Sequence, residues 1–235
     1  MRWYRLLFYE PDKNDHGLRY NPFKSIVVPR PIGWISTLDR AGRVNLAPFS
    51  QFNNIGYDPP YVMFCGGPDA RGGSRKDSVV NAIESGEFVC NMATWELREA
   101  VNITAQAVDP QVDEAALAGL EMVPSRLVGA PRVAASPVHL ECVFHQCLTL
   151  PGNSPAHIMN VVIGRVVGVH IRDDVLTADG RIDIKAIKPI ARLGYMDYAV
   201  ITETFEMRLA GPNAEANTKG LLGQASGKTA PGPAA

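Results

Sequence analysis

The sequence has few cysteines, almost no net charge and no long apolar run, and each shortage removes a class of protein. Its four cysteines, Cys65, Cys90, Cys142 and Cys147, form no Cys-x-x-Cys pair, so neither a zinc ribbon nor a dithiol redox motif is present. They read as reduced, mostly buried thiols. With a formal net charge of −1 and a pI of about 6.5, the chain has no global positive field to hold a nucleic-acid backbone or an anionic membrane. No stretch approaches the length of a membrane span, and the N-terminal "MRWYRLLFYEPDKNDHG" interrupts its apolar residues with Arg5, unlike an export signal or transit peptide. The expectation is a cytoplasmic protein. No G-x-S-x-G elbow and no G-x-G-x-x-G fingerprint occur, which removes the common hydrolase and Rossmann readings.

Across 235 residues, 46% hydrophobic and 20% charged, strand signals dominate. "SIVVPRPIGWISTL", the turn "DRAG" and "RVNLAPF" read as an antiparallel hairpin, with Pro29 and Pro31 confining its first part to an edge or entry point. "DPPYVMFCGG" reads as a buried strand. In "DSVVNAIESG", Val79, Val80 and Ile83 share a helical face, Asp77 or Ser78 serves as cap and Gly86 as stop. "EFVCNM" returns as a strand, and Thr94 caps a helix in "WELREAVNI". The segment "DEAALAGLEMVPSRLVGAPRVAASP" begins helical and becomes a proline-punctuated loop.

"HIMNVVIGRVVGVHI" gives the clearest alternation: its odd positions, Met159, Val161, Ile163, Val167, Val169 and Ile171, are apolar and define its buried face. "VHLECVFHQCLTL" is its antiparallel partner through "PGNSPA". Many strands, few helices and no β-α-β alternation predict a mainly β, antiparallel Greek-key barrel. Residues 1–21 read as an N-terminal extension, 22–209 as the domain and 210–235 as a Gly/Ala/Pro-rich tail, mobile or embracing a partner.

Two apparent motifs fail. "GQASGKT" has its first glycine one residue too close for a P-loop and follows no strand. On one strand face, His139, Glu141, His145 and Cys147 offer a metal-like set, but ordinary polar residues on a wet barrel face account for it more simply, and no metal is expected. What stands out is "GGPDARGGSRKDSVVNAIESG". Arg75 and Lys76 lie at the mouth of a helix whose first N–H groups lack intrahelical partners, a natural place for phosphate. Just upstream lies a hairpin carrying Ser36, Thr37, Asn45 and Ser50.

The ordered blocks "RPIGWISTLDRAGRVNLAPFSQFNNIGYDPPYVMFCGG", "RKDSVVNAIESGEFVCNM" and "ARLGYMDYAVI" resemble the flavin reductase-like family with the FMN-binding split β-barrel, from about Pro22 to about Leu209. The resemblance implies that Ser36, Thr37, Asn45, Ala47, Pro48 and Ser50 surround a flavin and that Arg75, Lys76, Asp77 and Ser78 receive the FMN phosphate. It implies hydride transfer from NADH or NADPH to the flavin and electron transfer onward to an acceptor such as a monooxygenase, with the flavin rather than a protein side chain carrying the chemistry. The alternative is a non-catalytic FMN-holding electron carrier serving a protein partner. Similar proteins are homodimers. His157 falls where relatives often carry a Gly-x-His segment near the flavin's open face, so it reads either as a nicotinamide contact or as a strand-end histidine with a structural hydrogen bond, while Arg192, Gly194 and Tyr198 match a C-terminal block that shapes the pocket or the dimer.

Overall fold

The computed structural model describes residues 6–69, 72, 75–207, 211, 214 and 218. Two compact units divide at 202/203, and the first holds every strand among the described residues. In the second, residues 203–207 have no regular structure, and most of the expected C-terminal tail lies outside the described residues.

The strands are β1 (Arg30–Pro31), β2 (Gly33–Leu38), β3 (Val44–Phe49), β4 (Phe52–Tyr57) and β5 (Pro60–Gly66). Helix α1 (Asp77–Ser85), β6 (Glu87–Met92), α2 (Arg98–Ile103), α3 (Glu114–Leu117), β7 (Met122–Val123) and β8 (Arg132–Val133) follow. The long strands β9 (Val138–Leu150) and β10 (Met159–Ile171), then α4 (Ile184–Ile187), β11 (Ile190–Gly194) and β12 (Asp197–Val200), complete the unit. Seven strands form one antiparallel sheet in the order β3-β2-β6-β9-β10-β5-β4. The sheet curls until the ends of its edge regions meet: Cys65 N–H donates to Gln51 O at 2.8 Å, and the rings of Phe49 and Phe64 lie 4.9 Å apart. This is the mainly β, antiparallel split-barrel architecture anticipated above.

Strand β2 shows why the hairpin reads as nearly continuous apolar sequence. Its Ile35 side packs into the barrel with Val62, Phe64, Phe88 and Val162, while its Trp34 side packs under α2 and α3 with Leu46, Val101 and Ala115. A strand covered on both faces must be apolar on both. Trp34 is fully buried, and its indole N–H donates to Thr104 Oγ1 at 2.8 Å, meeting the need of a buried polar atom.

Two helix starts differ from expectation. Helix α1 begins at Asp77 after Lys76, and no side chain caps it, because the N-cap position falls on Lys76, whose ammonium has no acceptor, while Ser78 Oγ accepts from Asn45 Nδ2. Its buried face is Ser78, Val79, Asn81 and Ala82 rather than one including Val80. The two polar members hydrogen-bond to the hairpin, Ser78 with Asn45 and Asn81 with Thr37, which is how polar residues come to face inward. Gly86 ends the helix with φ +77°, as its lack of Cβ permits. Helix α2 starts at Arg98, not beside Thr94, which is drawn instead into a bridge with Pro189.

Strand β10 reverses the expected burial. Asn160, Val162 and Gly164 face the interior, whereas the apolar Met159, Val161 and Ile163 are only partly covered, and Val169 and Ile171 are exposed. Register on β5 and β9 decides this, with bulges at Ile163/Gly164 and Val166/Gly168. Gly164 is required where it stands, since a Cβ would strike the buried Phe88 ring.

The side chains weighed as a metal set serve other ends. Glu141 is fully buried, accepts the Arg126 and Leu127 N–H groups at 2.8 and 2.7 Å, and meets His170 Nε2. Burial raises the Glu141 pKa, but these donors outweigh it and hold the carboxyl below its ordinary range. His139 bonds Val133 O through Nε2 at 2.8 Å, whereas His145 is exposed and packs against the Tyr61 ring 5.2 Å away. Together with Glu87, which accepts from Gly129 and Ala130, and Asn91, which accepts from Val133, these groups fasten residues 124–133 over the barrel.

Two outcomes follow from this packing. Gly164→Ala should cost about 1–3 kcal/mol of unfolding free energy through overpacking, read as a lower denaturant midpoint at unchanged slope. Burial lowers the His139 pKa to about 4. The unfolded chain therefore binds a proton that the folded chain refuses, and stability should fall as pH drops from about 6.5 to about 4, by up to about 3 kcal/mol. In His139→Gln that acid loss should shrink, as measured by denaturation at pH 7 and pH 4.5.

Candidate functional site

Edge strand β3, the start of α1 and residues 104–108 after α2 enclose a cleft of about 80 Å³. Six residues singled out in the sequence meet on its wall: Asn45, Ala47, Pro48, Lys76, Asp77 and Ser78. Antiparallel pairing places Asn45 at the open edge of the sheet, since β3 has β2 on one side only. The tie from Asn45 Nδ2 to Ser78 Oγ, 2.8 Å, then pins the first turn of α1 against that edge. The enclosed volume falls below the roughly 300 Å³ of a complete small-molecule pocket, so it suits one polar group of a larger ligand lying across the opening.

The remaining predicted residues part into three sets. Ser36 and Thr37 are fully buried beneath the cleft rather than on its wall. Ser36 Oγ donates to Pro131 O at 2.6 Å and accepts from Asn91, and Thr37 accepts from Asn81 at 3.1 Å. Their hydroxyls hold the scaffold. Ser50 follows β3 and is half-buried. Arg75 is exposed and turns to the other side of the helix mouth, where its Nε donates to Asn160 Oδ1 at 3.2 Å. The Asn160 Nδ2 is buried without a partner. Lys76 Nζ lies 5.6 Å from the Phe49 ring centroid, beside the cleft. Close packing of α1 on β5 is possible because a Cβ at Gly66 would stand 2.8 Å from Val79 Cγ2.

His157 ends a short 3-10 turn, exposed, with Nδ1 2.7 Å from Ser154 Oγ. Since Asn160 pairs with Gly66, this turn stands at the α1 end of β10. Arg192 and Tyr198 pair across β11 and β12, with the guanidinium 4.5 Å from the ring centroid. Tyr198 belongs to a separate, larger cavity of about 260 Å³ lined also by Trp95, Arg98 and Ile190. Sequence reading missed Glu114, whose carboxyl closes the far side of the cleft and accepts the Leu46 N–H at 3.1 Å. Its place in the apolar run "DEAALAGL" was the available signal, a carboxylate on a helix that must lie against something.

The arrangement fits a phosphorylated flavin in one respect that can be checked on the residues themselves. An uncapped helix N-terminus carrying Arg75 and Lys76 favours an anion, and the neighbouring hydroxyl and amide groups favour a ligand rich in polar edges. Comparison with known proteins points the same way. The "Flavin reductase like domain" family matches residues 25–197. An uncharacterized protein of Halalkalibacterium halodurans is 36% identical over 199 residues, spanning 84% of this chain and 93% of that protein. The crystal structure of nitrilotriacetate monooxygenase component B from Bacillus cereus superposes with a TM-score of 0.80 at 31% identity, covering 87% of this chain and all of that one. Pseudomonas fluorescens 2-nitrobenzoate 2-nitroreductase superposes with a TM-score of 0.68 at 26% identity, covering 81% and 88% of the two chains. With a family match across most of its barrel and relatives that share its length, this chain belongs to the flavin reductase-like domain family.

Proposed function

We propose that the protein binds FMN at the mouth of α1 and serves as an NAD(P)H-dependent flavin reductase that delivers electrons to an acceptor. The observation that carries this is the uncapped α1 N-terminus with Arg75 and Lys76 on its rim and the Asn45–Ser78 pair on its wall. Bound FMN supplies a site that takes up hydride from NADH or NADPH and gives electrons up again. The chain's own residues bind and orient. Lys76 holds the phosphate from the cleft side, Arg75 joins it from the other side of the helix mouth by leaving Asn160, and Asn45 and Ser78 fix the distance between helix and edge strand. Ala47, Pro48 and Ser50 border the flavin, and Ser36 and Thr37 brace the strand beneath it. His157, exposed at the same end of the sheet, would meet the nicotinamide. The relationship to an oxygenase component in Bacillus cereus supports an oxygenase as the acceptor's class. A pure FMN carrier would share the cofactor site but would not accelerate NAD(P)H oxidation in the presence of excess flavin.

A homodimer belongs to the same proposal. The outer side of β9 and β10 exposes Leu148 and Leu150 beside the half-covered Met159, Val161 and Ile163, an apolar surface that a second copy of the chain would cover.

Arg75→Ala and Lys76→Ala should each remove a charge-assisted contact worth roughly 1.5–3 kcal/mol, weakening FMN binding about ten- to a hundredfold. Riboflavin, which lacks the phosphate, should bind each variant as it binds the parent. Fluorescence titration with both flavins decides, and unchanged FMN affinity in both variants would remove the phosphate from this helix mouth. Light scattering should give twice the 25.5 kDa chain mass, and a mass near a single chain at every practical concentration would refute the dimer.

A further inference from the structure

Glu114 is an unusual wall for an anion site. It is 7% exposed, sits at the first position of α3 and reaches across to the sheet edge to cap the Leu46 N–H. The groups facing it are mostly acidic. Asp77 approaches from the start of α1 and Asp113 caps α3, while β3 contributes the neutral Asn45 and residues 104–108 contribute no charge. Asp69 and Lys76 complete the charged lining of the cleft, so Lys76 is its one cation among the described residues. A doubly charged phosphate entering here would meet a carboxylate that has little water to screen it.

We propose that Glu114 is a positioning residue that couples occupancy of this cleft by a phosphomonoester to the uptake of one proton, making its preference for phosphorylated over unphosphorylated flavin depend on pH. The inference rests on the flavin reading given above. A proton taken from solvent by the Glu114 carboxylate removes its own share of the repulsion and converts an acceptor into an O–H donor for a phosphate oxygen. The other oxygen keeps its bond from the Leu46 N–H, so β3 stays in place. Burial, with Asp77 and Asp113 adding to it against the opposing hydrogen bonds of the Leu46 and Glu114 N–H groups, already raises the carboxyl's pKa before a ligand arrives. An incoming anion raises it further. A group that gains protons on binding strengthens binding as pH falls, by up to about tenfold per pH unit for one proton. Phosphate's own second ionisation, near pH ~6, acts with the opposite sign because Lys76 and the helix mouth favour the dianion.

The test is the ratio of FMN to riboflavin affinity from pH 4.5 upward, measured on wild type and on the isosteric Glu114→Gln. In wild type the ratio should fall as pH rises above the ordinary carboxylate value of 4.5. In Glu114→Gln it should stay level or rise through the phosphate ionisation. Calorimetry on wild type alone, in two buffers of different ionisation enthalpy, should show net proton uptake with FMN and none with riboflavin, a result that does not depend on the variant folding. Parallel wild-type and variant profiles, or no uptake with FMN, would overturn the role of Glu114 while leaving the flavin site standing. Failure of wild type to bind either flavin would instead overturn the flavin reading, and this inference with it.

Discussion

The register of β10 is the constraint on which the rest of the molecule depends. This strand is hydrogen-bonded on both sides, to β9 along its whole length and to β5 from Asn160 to Arg165. A slip of one residue would exchange its faces. The observed register turns Val162 into the barrel, puts Gly164 under the Phe88 ring and sets Asn160 where Arg75 can reach it. It also sends Val161 and Ile163 outward, which creates the apolar outer face. Core packing, the orientation of Arg75 and the unpartnered sheet surface are thus one decision seen from three places.

The cleft beside α1 has an uneven electrostatic character that follows from the same packing. Arg75 is drawn to one side of the helix mouth by Asn160, while Asp77 and Glu114 line the cleft together with Lys76. A helix N-terminus without a side-chain cap attracts an anion, and nearby carboxylates oppose it. A ligand entering such a site would be distinguished by charge state as well as by shape. The buried hydroxyls of Ser36 and Thr37 stand outside this contest, since scaffold partners already satisfy them.

Polar staples matter as much as the apolar core in holding the barrel's cover. Residues 124–133 contain no long regular element, yet Glu87, Asn91 and Glu141 each accept backbone N–H groups from that stretch. Buried acceptors used in this way replace the ladder bonds that an irregular segment cannot make for itself. The same rule explains Glu114, which covers the open N–H of an edge strand.

Local chemistry was legible in the order of residues. The turn at Asp39–Gly42, the run ending at Gly66, the stop at Gly86 and the pairing of 138–150 with 159–171 all depend on near neighbours, and the blocks 30–67, 75–92 and 191–201 carried the family resemblance. Strand β4, with Asn53, Asn54 and Gly56, carries little strand signal and exists because β5 offers it a partner. Alternation along 159–171 pointed to the odd, apolar face as the buried one, but a strand's period is the same for either choice, and pairing with β5 and β9 turned Asn160, Val162 and Gly164 inward instead. Hydroxyls at Ser36 and Thr37 look like ligand contacts in a linear reading. Only the covering segments at Asn81, Asn91 and Pro131 turn them inward, and only α3 brings Glu114 to Leu46 from 68 residues away. Sequence by itself therefore determined the elements and the chemistry available to the site. Tertiary structure decided which groups face the cleft, because burial and hydrogen-bond satisfaction are settled by residues distant in the chain.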